Sequence, residues 1–159
     1  VLFIENATLY QAKGEVPEGE DVLEELGKSK VQREGDDVTI VAYSKMVQPA
    51  LEAADMLSED GIEAEVIDLR SLRPLDMDPI IASFKRTNRA VVAEEGWRGY
   101  GVGAEVSARI YELAFDYVDA PVKRVAQAEV PLPYNADLEQ LALPQTEDIY
   151  NAAKEIVYG

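Results

Sequence analysis

The chain alternates between short runs of consecutive apolar residues and longer stretches in which apolar positions recur every three or four residues. The first pattern belongs to strands buried on both faces, the second to helices with one buried stripe. Val38–Tyr43 (VTIVAY), Ala64–Leu69 (AEVIDL) and the RAVVAEE stretch at 89–95 read as three long strands. Lys30–Arg33, before an EGDD turn, and Val122–Val125 read as two shorter ones. Val47, Ala50, Leu51, Ala54 and Leu57 mark a first helix that stops at Gly61. A second is expected to take Asp76 or Asp78 as its cap, to hold Pro79 in its first turn, and to close on Lys85 and Arg86, where cations suit the dipole. Val102, Val106, Ile110 and Leu113, with Ala104 and Ala108, line a third. NADLEQLAL supplies a turn or two of helix. A last amphipathic helix starts from Thr146 as its cap and turns Ile149, Ala153, Ile156 and Val157 inward.

Strands alternating with helices imply parallel pairing through right-handed crossovers. The first short strand joins the next by a tight turn, so that pair is expected to be antiparallel. The fold class is therefore α/β: a three-layer α/β/α arrangement around a five-stranded mixed, mostly parallel sheet. Two segments stand apart. Val1–Ile4 is an apolar β run that needs neighbours on both faces, which suggests that residues 1–10 are the final strand of a domain lying upstream and that the chain is a fragment. Residues 11–29 read as an acidic linker: GEVPEGEDVLEE carries six acidic residues and no basic one, with too little apolar content to fold alone. Residues 30–159 form the α/β domain.

Composition narrows the chemistry. The net charge of −16 opposes nucleic acid and anionic membrane surfaces, and it suits a basic protein partner. There is no histidine and no cysteine, so the usual near-neutral general base, the thiol nucleophile and the common transition-metal ligands are all missing. No apolar run is long enough to span a bilayer. A bacterial cytoplasm is the expected compartment, with an organellar matrix or stroma as the other possibility.

Glu94–Val106, EEGWRGYGVGAEV, places four glycines between a strand and a helix, which is where many proteins hold a phosphate. The spacing of Gly99, Gly101 and Gly103 is one residue short of the dinucleotide fingerprint, and no Gly-Lys-Ser/Thr follows. Glu94, Glu95 and Glu105 would compete with any anion for the helix's positive end. The preferred reading is close approach: Gly99, Gly101 and Gly103 let another backbone or a second subunit pack there, and Trp97 and Tyr100 offer rings for that contact. A flavodoxin-like nucleotide or flavin binder is the alternative. Arg70 and Arg73, at the carboxyl edge of the sheet, could grip a carboxylate, but pairing with the chain's own acidic excess is the simpler expectation.

Taken together, GDDVTIVAYSKMVQPALEAA, EVIDLRSLRPLDMDPI, VVAEEGWRGYGVGAEV, DAPVKRVAQAEVPLPY and LEQLALPQ resemble the beta subunit of the first component of the pyruvate dehydrogenase complex. Beta subunits for branched-chain 2-oxo acids and for acetoin share most of this pattern. The resemblance implies the carboxyl-terminal, transketolase-type domain of that subunit. Thiamine diphosphate and Mg would then belong to the intact enzyme, with no cofactor, metal or catalytic residue in this chain. It implies contacts with an alpha subunit and a second beta subunit. It also implies docking of the peripheral-subunit-binding module of dihydrolipoyl acetyltransferase, with Asp119 and the final carboxylate on Gly159 matching the positions that pair with that module's cations.

Overall fold

The computed structural model describes residues 2–15, 18–19 and 22–159. Five strands, β1 (Lys30–Arg33), β2 (Val38–Ala42), β3 (Ala64–Asp68), β4 (Ala90–Trp97) and β5 (Lys123–Gln127), form one sheet in the order β1-β3-β2-β4-β5. The last four run parallel and β1 runs antiparallel. The described residues also form five α-helices, α1 (Val47–Glu59), α2 (Asp78–Thr87), α3 (Val102–Ala114), α4 (Ala136–Ala142) and α5 (Thr146–Tyr158), and three short 3-10 helices at Ala7–Gln11, Ser44–Met46 and Phe115–Tyr117. This is the three-layer mixed α/β fold expected from the sequence.

The two cores follow from strand alternation. Val38, Ile40, Ala42, Val66, Val91 and Ala93 face α1 and α5, which contribute Ala50, Ala54, Leu57, Ile149, Ala153 and Ile156. Val41, Ile67, Leu69 and Val92 face α2 and α3, which contribute Ile80, Phe84, Val106 and Ile110. Side chains on a strand point to opposite faces in turn, so a strand that is apolar throughout fills both cores. On the second face Thr39 is polar yet fully buried. Its hydroxyl shares hydrogen bonds with those of Ser83 at 2.7 Å and Thr87 at 2.8 Å on α2, and so is satisfied without water.

Several expectations need correction. β1 is antiparallel, but its partner is β3 and not the adjacent β2. The turn between them crosses the start of β3: Asp37 N–H donates to the Glu63 carbonyl at 2.9 Å, and the Glu63 N–H donates to the Asp37 carboxylate at 2.7 Å. Gly35 lies against the Glu63–Glu65 backbone with no room for a side chain, which carries β1 past β3 to its free edge. On α3 the buried stripe is Gly103, Val106, Ile110 and Ala114, which leaves Leu113 exposed. Gln145, not Thr146, caps α5: its N–H donates to Asp148 Oδ2 at 2.8 Å in a capping box. Neither Asp76 nor Asp78 occupies the cap of α2, which is Met77; Asp76 Oδ1 accepts from the Asp78 N–H at 3.3 Å instead.

Leu2–Ile4 are exposed and join no strand; Val1 lies outside the described residues, as do Val16, Pro17, Glu20 and Asp21 of the segment expected to be a linker. The carboxyl end of that segment packs on the loop between β3 and α2. Gly27 N–H donates to Ser71 Oγ at 2.9 Å, Ser29 Oγ donates to the Asp76 carbonyl at 2.9 Å, and Arg70 pairs with Glu24 at 2.8 Å. Arg70 thus spends its charge within the chain.

Candidate subunit and partner interface

The glycine loop joins β4 to α3 at the carboxyl edge of the sheet. A helix start leaves backbone N–H groups unpaired, and a Ser, Thr, Asp or Asn cap normally accepts one. The α3 cap is Gly101, which has no side-chain acceptor to offer. Glu94 supplies it from β4. Strand alternation puts Glu94 on the same face as Val92, beneath α3, where it is 0% exposed. Its Oε1 accepts the Gly103 N–H at 3.0 Å, and its Oε2 accepts the Tyr43 hydroxyl at 3.3 Å.

The glycines make room for this carboxylate. A Cβ on Gly101 would sit 2.5 Å from Glu94 Oε1 and equally close to the Trp97 carbonyl; one on Gly103 would sit 2.6 Å from Glu94 Oε1. The space a Cβ would need at Gly101 and Gly103 is thus taken by the chain's own atoms. An internal carboxylate holds the place a phosphate would need. Burial first, and then the Glu94 charge, push the Tyr43 phenol up to about 12. Sequence reasoning counted Glu94 among the acidic neighbours of the loop and missed that it is the group the glycines serve. Its place five residues into the apolar β4, on the face of Val92, was the available signal.

Beyond that seat the loop faces outward. Trp97 is 52% exposed; its Nε1 donates to the Val130 carbonyl at 3.2 Å and so joins β4 to the segment after β5. The Gly99 N–H donates to Glu129 at 3.2 Å. Tyr100 is fully exposed and holds a left-handed backbone, φ 62°. Val130, Leu132, Tyr134, Leu138 and Leu141 continue the exposed apolar side chains along the following segment and α4.

Asp119 and Gly159 lie elsewhere, near the amino ends of β4 and β5. The Asp119 N–H donates to the Asn88 carbonyl at 3.2 Å, and its carboxylate lies 3.8 Å from Arg89 Nη1. Arg89 Nε donates to the Ile156 carbonyl in the last turn of α5, at 2.8 Å, and α5 then ends at Gly159. The fold therefore brings Asp119 and the end of α5 to one arginine.

Neither region suits an anionic cofactor or its metal. Glu94 fills the α3 start and Glu95 stands beside it, paired with Lys45 at 3.3 Å. Among the described residues no group of three His, Cys, Asp or Glu side chains forms a metal seat, and none of their helices is long and apolar enough to cross a membrane. The residues here do not fit a thiamine diphosphate–magnesium site.

The chain matches the family described as "Transketolase, C-terminal domain" over residues 27–149. It is 52% identical over 163 residues to "Pyruvate dehydrogenase E1 component subunit beta-2, mitochondrial" of Oryza sativa subsp. japonica, covering 99% of this chain and 43% of that protein. To the "Pyruvate dehydrogenase E1 component subunit beta, mitochondrial" of Dictyostelium discoideum it is 48% identical over 159 residues, covering 98% and 45%. To the "Pyruvate dehydrogenase E1 component subunit beta" of Rickettsia bellii it is 49% identical over 158 residues, covering 99% and 48%. The chain thus spans about half the length of the curated relatives it matches. Among solved structures it is similar to "Split gene transketolase, inactive beta4 tetramer", with TM-score 0.75 and 34% identity, covering 90% of this chain and 46% of that one. A 2-oxoglutarate:ferredoxin oxidoreductase from Magnetococcus marinus shares the fold alone, with TM-score 0.55 and 19% identity, covering 82% and 20%.

Proposed function

The chain belongs to the transketolase carboxyl-terminal domain family, and from that premise we propose that it is the assembly domain of the beta subunit of pyruvate dehydrogenase, the thiamine-diphosphate-dependent first component of the complex. One observation carries this reading: identity near one half runs through almost the whole chain in beta subunits of that enzyme from plant, amoeba and bacterium. Residues 1–10 then close the preceding domain, 11–29 link the two, and 30–159 form the assembly unit. Thiamine diphosphate and Mg are held elsewhere in the assembled enzyme, in keeping with a donor set here that suits neither.

In this role the outward face of the loop, Trp97, Gly99 and Tyr100, meets a second beta subunit or the alpha subunit, while Gly101 and Gly103 set its shape from behind. The exposed apolar run that continues through Leu141 supports this. Asp119 and Gly159 receive the basic peripheral-subunit-binding module of dihydrolipoyl acetyltransferase; the net charge of −16 favours such an encounter.

Reconstitution tests the reading. The whole beta subunit, mixed with its alpha subunit, is expected to sediment as a heterotetramer and to decarboxylate pyruvate faster than branched-chain 2-oxo acids. The Trp97→Ala/Tyr100→Ala pair is expected to shift sedimentation toward smaller species. Preference for a branched-chain acid, or unchanged assembly in the paired variant, would refute the substrate or the surface respectively.

A further inference from the structure

Arg89 stands where three elements meet: it follows Asn88, the left-handed cap of α2, and precedes β4, and its side chain reaches the last turn of α5. The backbone around it is anchored. Thr87 Oγ1 donates to the Arg89 carbonyl at 3.1 Å and shares a hydrogen bond with the buried Thr39 hydroxyl at 2.8 Å. From this fixed turn one guanidinium serves two neighbours. Nε donates to the Ile156 carbonyl at 2.8 Å, and Nη1 lies 3.8 Å from Asp119 Oδ2. The Asn88 carbonyl holds the Asp119 backbone from the other side, at 3.2 Å. The two contacts differ in tightness. The carbonyl contact, at 2.8 Å, is a hydrogen bond, whereas the carboxylate contact, at 3.8 Å, is loose and the Asp119 side chain stays 56% exposed.

We propose that Arg89 is a positioning residue for partner docking: its fork sets Asp119 and the last turn of α5 in one register, so that a basic partner meets both segments already aligned. The inference rests on the docking reading given above. A planar guanidinium can serve a carbonyl and a carboxylate at once; a lysine ammonium is a point charge on a flexible stem and cannot hold both in fixed relation. Because Arg89 touches Asp119 only loosely, the carboxylate keeps room for an incoming guanidinium. Pre-alignment lowers the ordering cost of association, and that is the source of the expected affinity.

The test titrates the whole beta subunit, unaltered and as variants, with the isolated peripheral-subunit-binding module across a salt series. Arg89→Lys keeps the charge and loses the fork: it is expected to bind about tenfold more weakly with the salt slope unchanged. Arg89→Met is expected to lose at least as much. Asp119→Asn is expected to weaken binding and flatten the slope, and adding Arg89→Lys to it to cost less than Arg89→Lys costs alone, because the two act together. Thermal midpoints, expected to move little, show that each variant folds. Wild-type affinity in Arg89→Lys, or tighter binding in Arg89→Met, would overturn the positioning role and leave the docking reading intact. Unchanged affinity in Asp119→Asn would overturn the docking reading, and the role of Arg89 with it.

Discussion

The Glu94 carboxylate accepts the Gly103 N–H at 3.0 Å, closing the first turn of α3 with a side chain from the preceding strand. A buried carboxylate with donors aimed at it is a fixed point of the fold. Glu94→Ala strands the Gly103 N–H and the Tyr43 hydroxyl and leaves a void, so a loss of about 3 kcal/mol is expected, against about 1 for Glu94→Gln, which keeps one acceptor. Urea denaturation measures both. Because the empty seat suits a small carboxylate, formate is expected to raise the midpoint of Glu94→Ala more than chloride does. Equal responses to the two salts in wild type and variant would count against the seat.

Gly101 is constrained from two sides. A methyl group there meets the Glu94 carboxylate and the Trp97 carbonyl, and the second is backbone that cannot swing aside. Gly101→Ala is therefore expected to cost about 2 kcal/mol in denaturant unfolding. Gly99→Ala meets only the flexible end of Glu129 and is expected to cost much less. If the two variants melt alike, the loop is held by something other than Glu94.

Tyr43 gives a signature in alkali. Burial, then Glu94, push its phenol from 10.0 up to about 12. Between those values the unfolded chain has released the proton and the folded one keeps it. The unfolded state then binds fewer protons, so stability falls as pH rises. This contribution is whole below about pH 10 and is lost as pH approaches about 12. Tyr43→Phe is expected to remove one late-titrating phenol from the absorbance titration and to soften the alkaline loss of stability. Parallel pH profiles for variant and wild type would exclude the Tyr43–Glu94 coupling.

The sheet was legible because the runs at Val38 and Ala90 are apolar on both faces, which only interior strands need. The place of β1 was not, because nothing local says that Gly35 lets the EGDD turn cross β3 before the chain pairs. Leu113 was misplaced for a related reason: the stripe of α3 starts at a glycine, which periodicity does not count as apolar. At the glycine loop the acidic neighbours were legible, and Glu94 is the one that reaches the start of α3. That contact stayed hidden, because Glu94 and Gly103 meet only once strand and helix have packed. Asp119 could be singled out by resemblance. Arg89, which reaches both Asp119 and α5, has no motif around it and needed the fold to bring the three together.

Tyr100 separates stability from association. It is exposed and holds a left-handed backbone, a conformation a bulky residue adopts at a cost of about 1 kcal/mol or more. Among the described residues nothing packs on the ring to offset that cost, since it extends fully into solvent. The proposed subunit contact accounts for it: the strained turn presents the ring to a neighbour. Tyr100→Gly is therefore expected to raise the unfolding free energy of the unassembled subunit by about 1 kcal/mol, less what glycine's freer unfolded chain takes back. The same variant is expected to weaken association of the whole beta subunit in sedimentation, because the ring is lost. A variant that is stabilised and associates normally would show the strain to be incidental. One that is neither stabilised nor impaired would remove Tyr100 from the surface altogether.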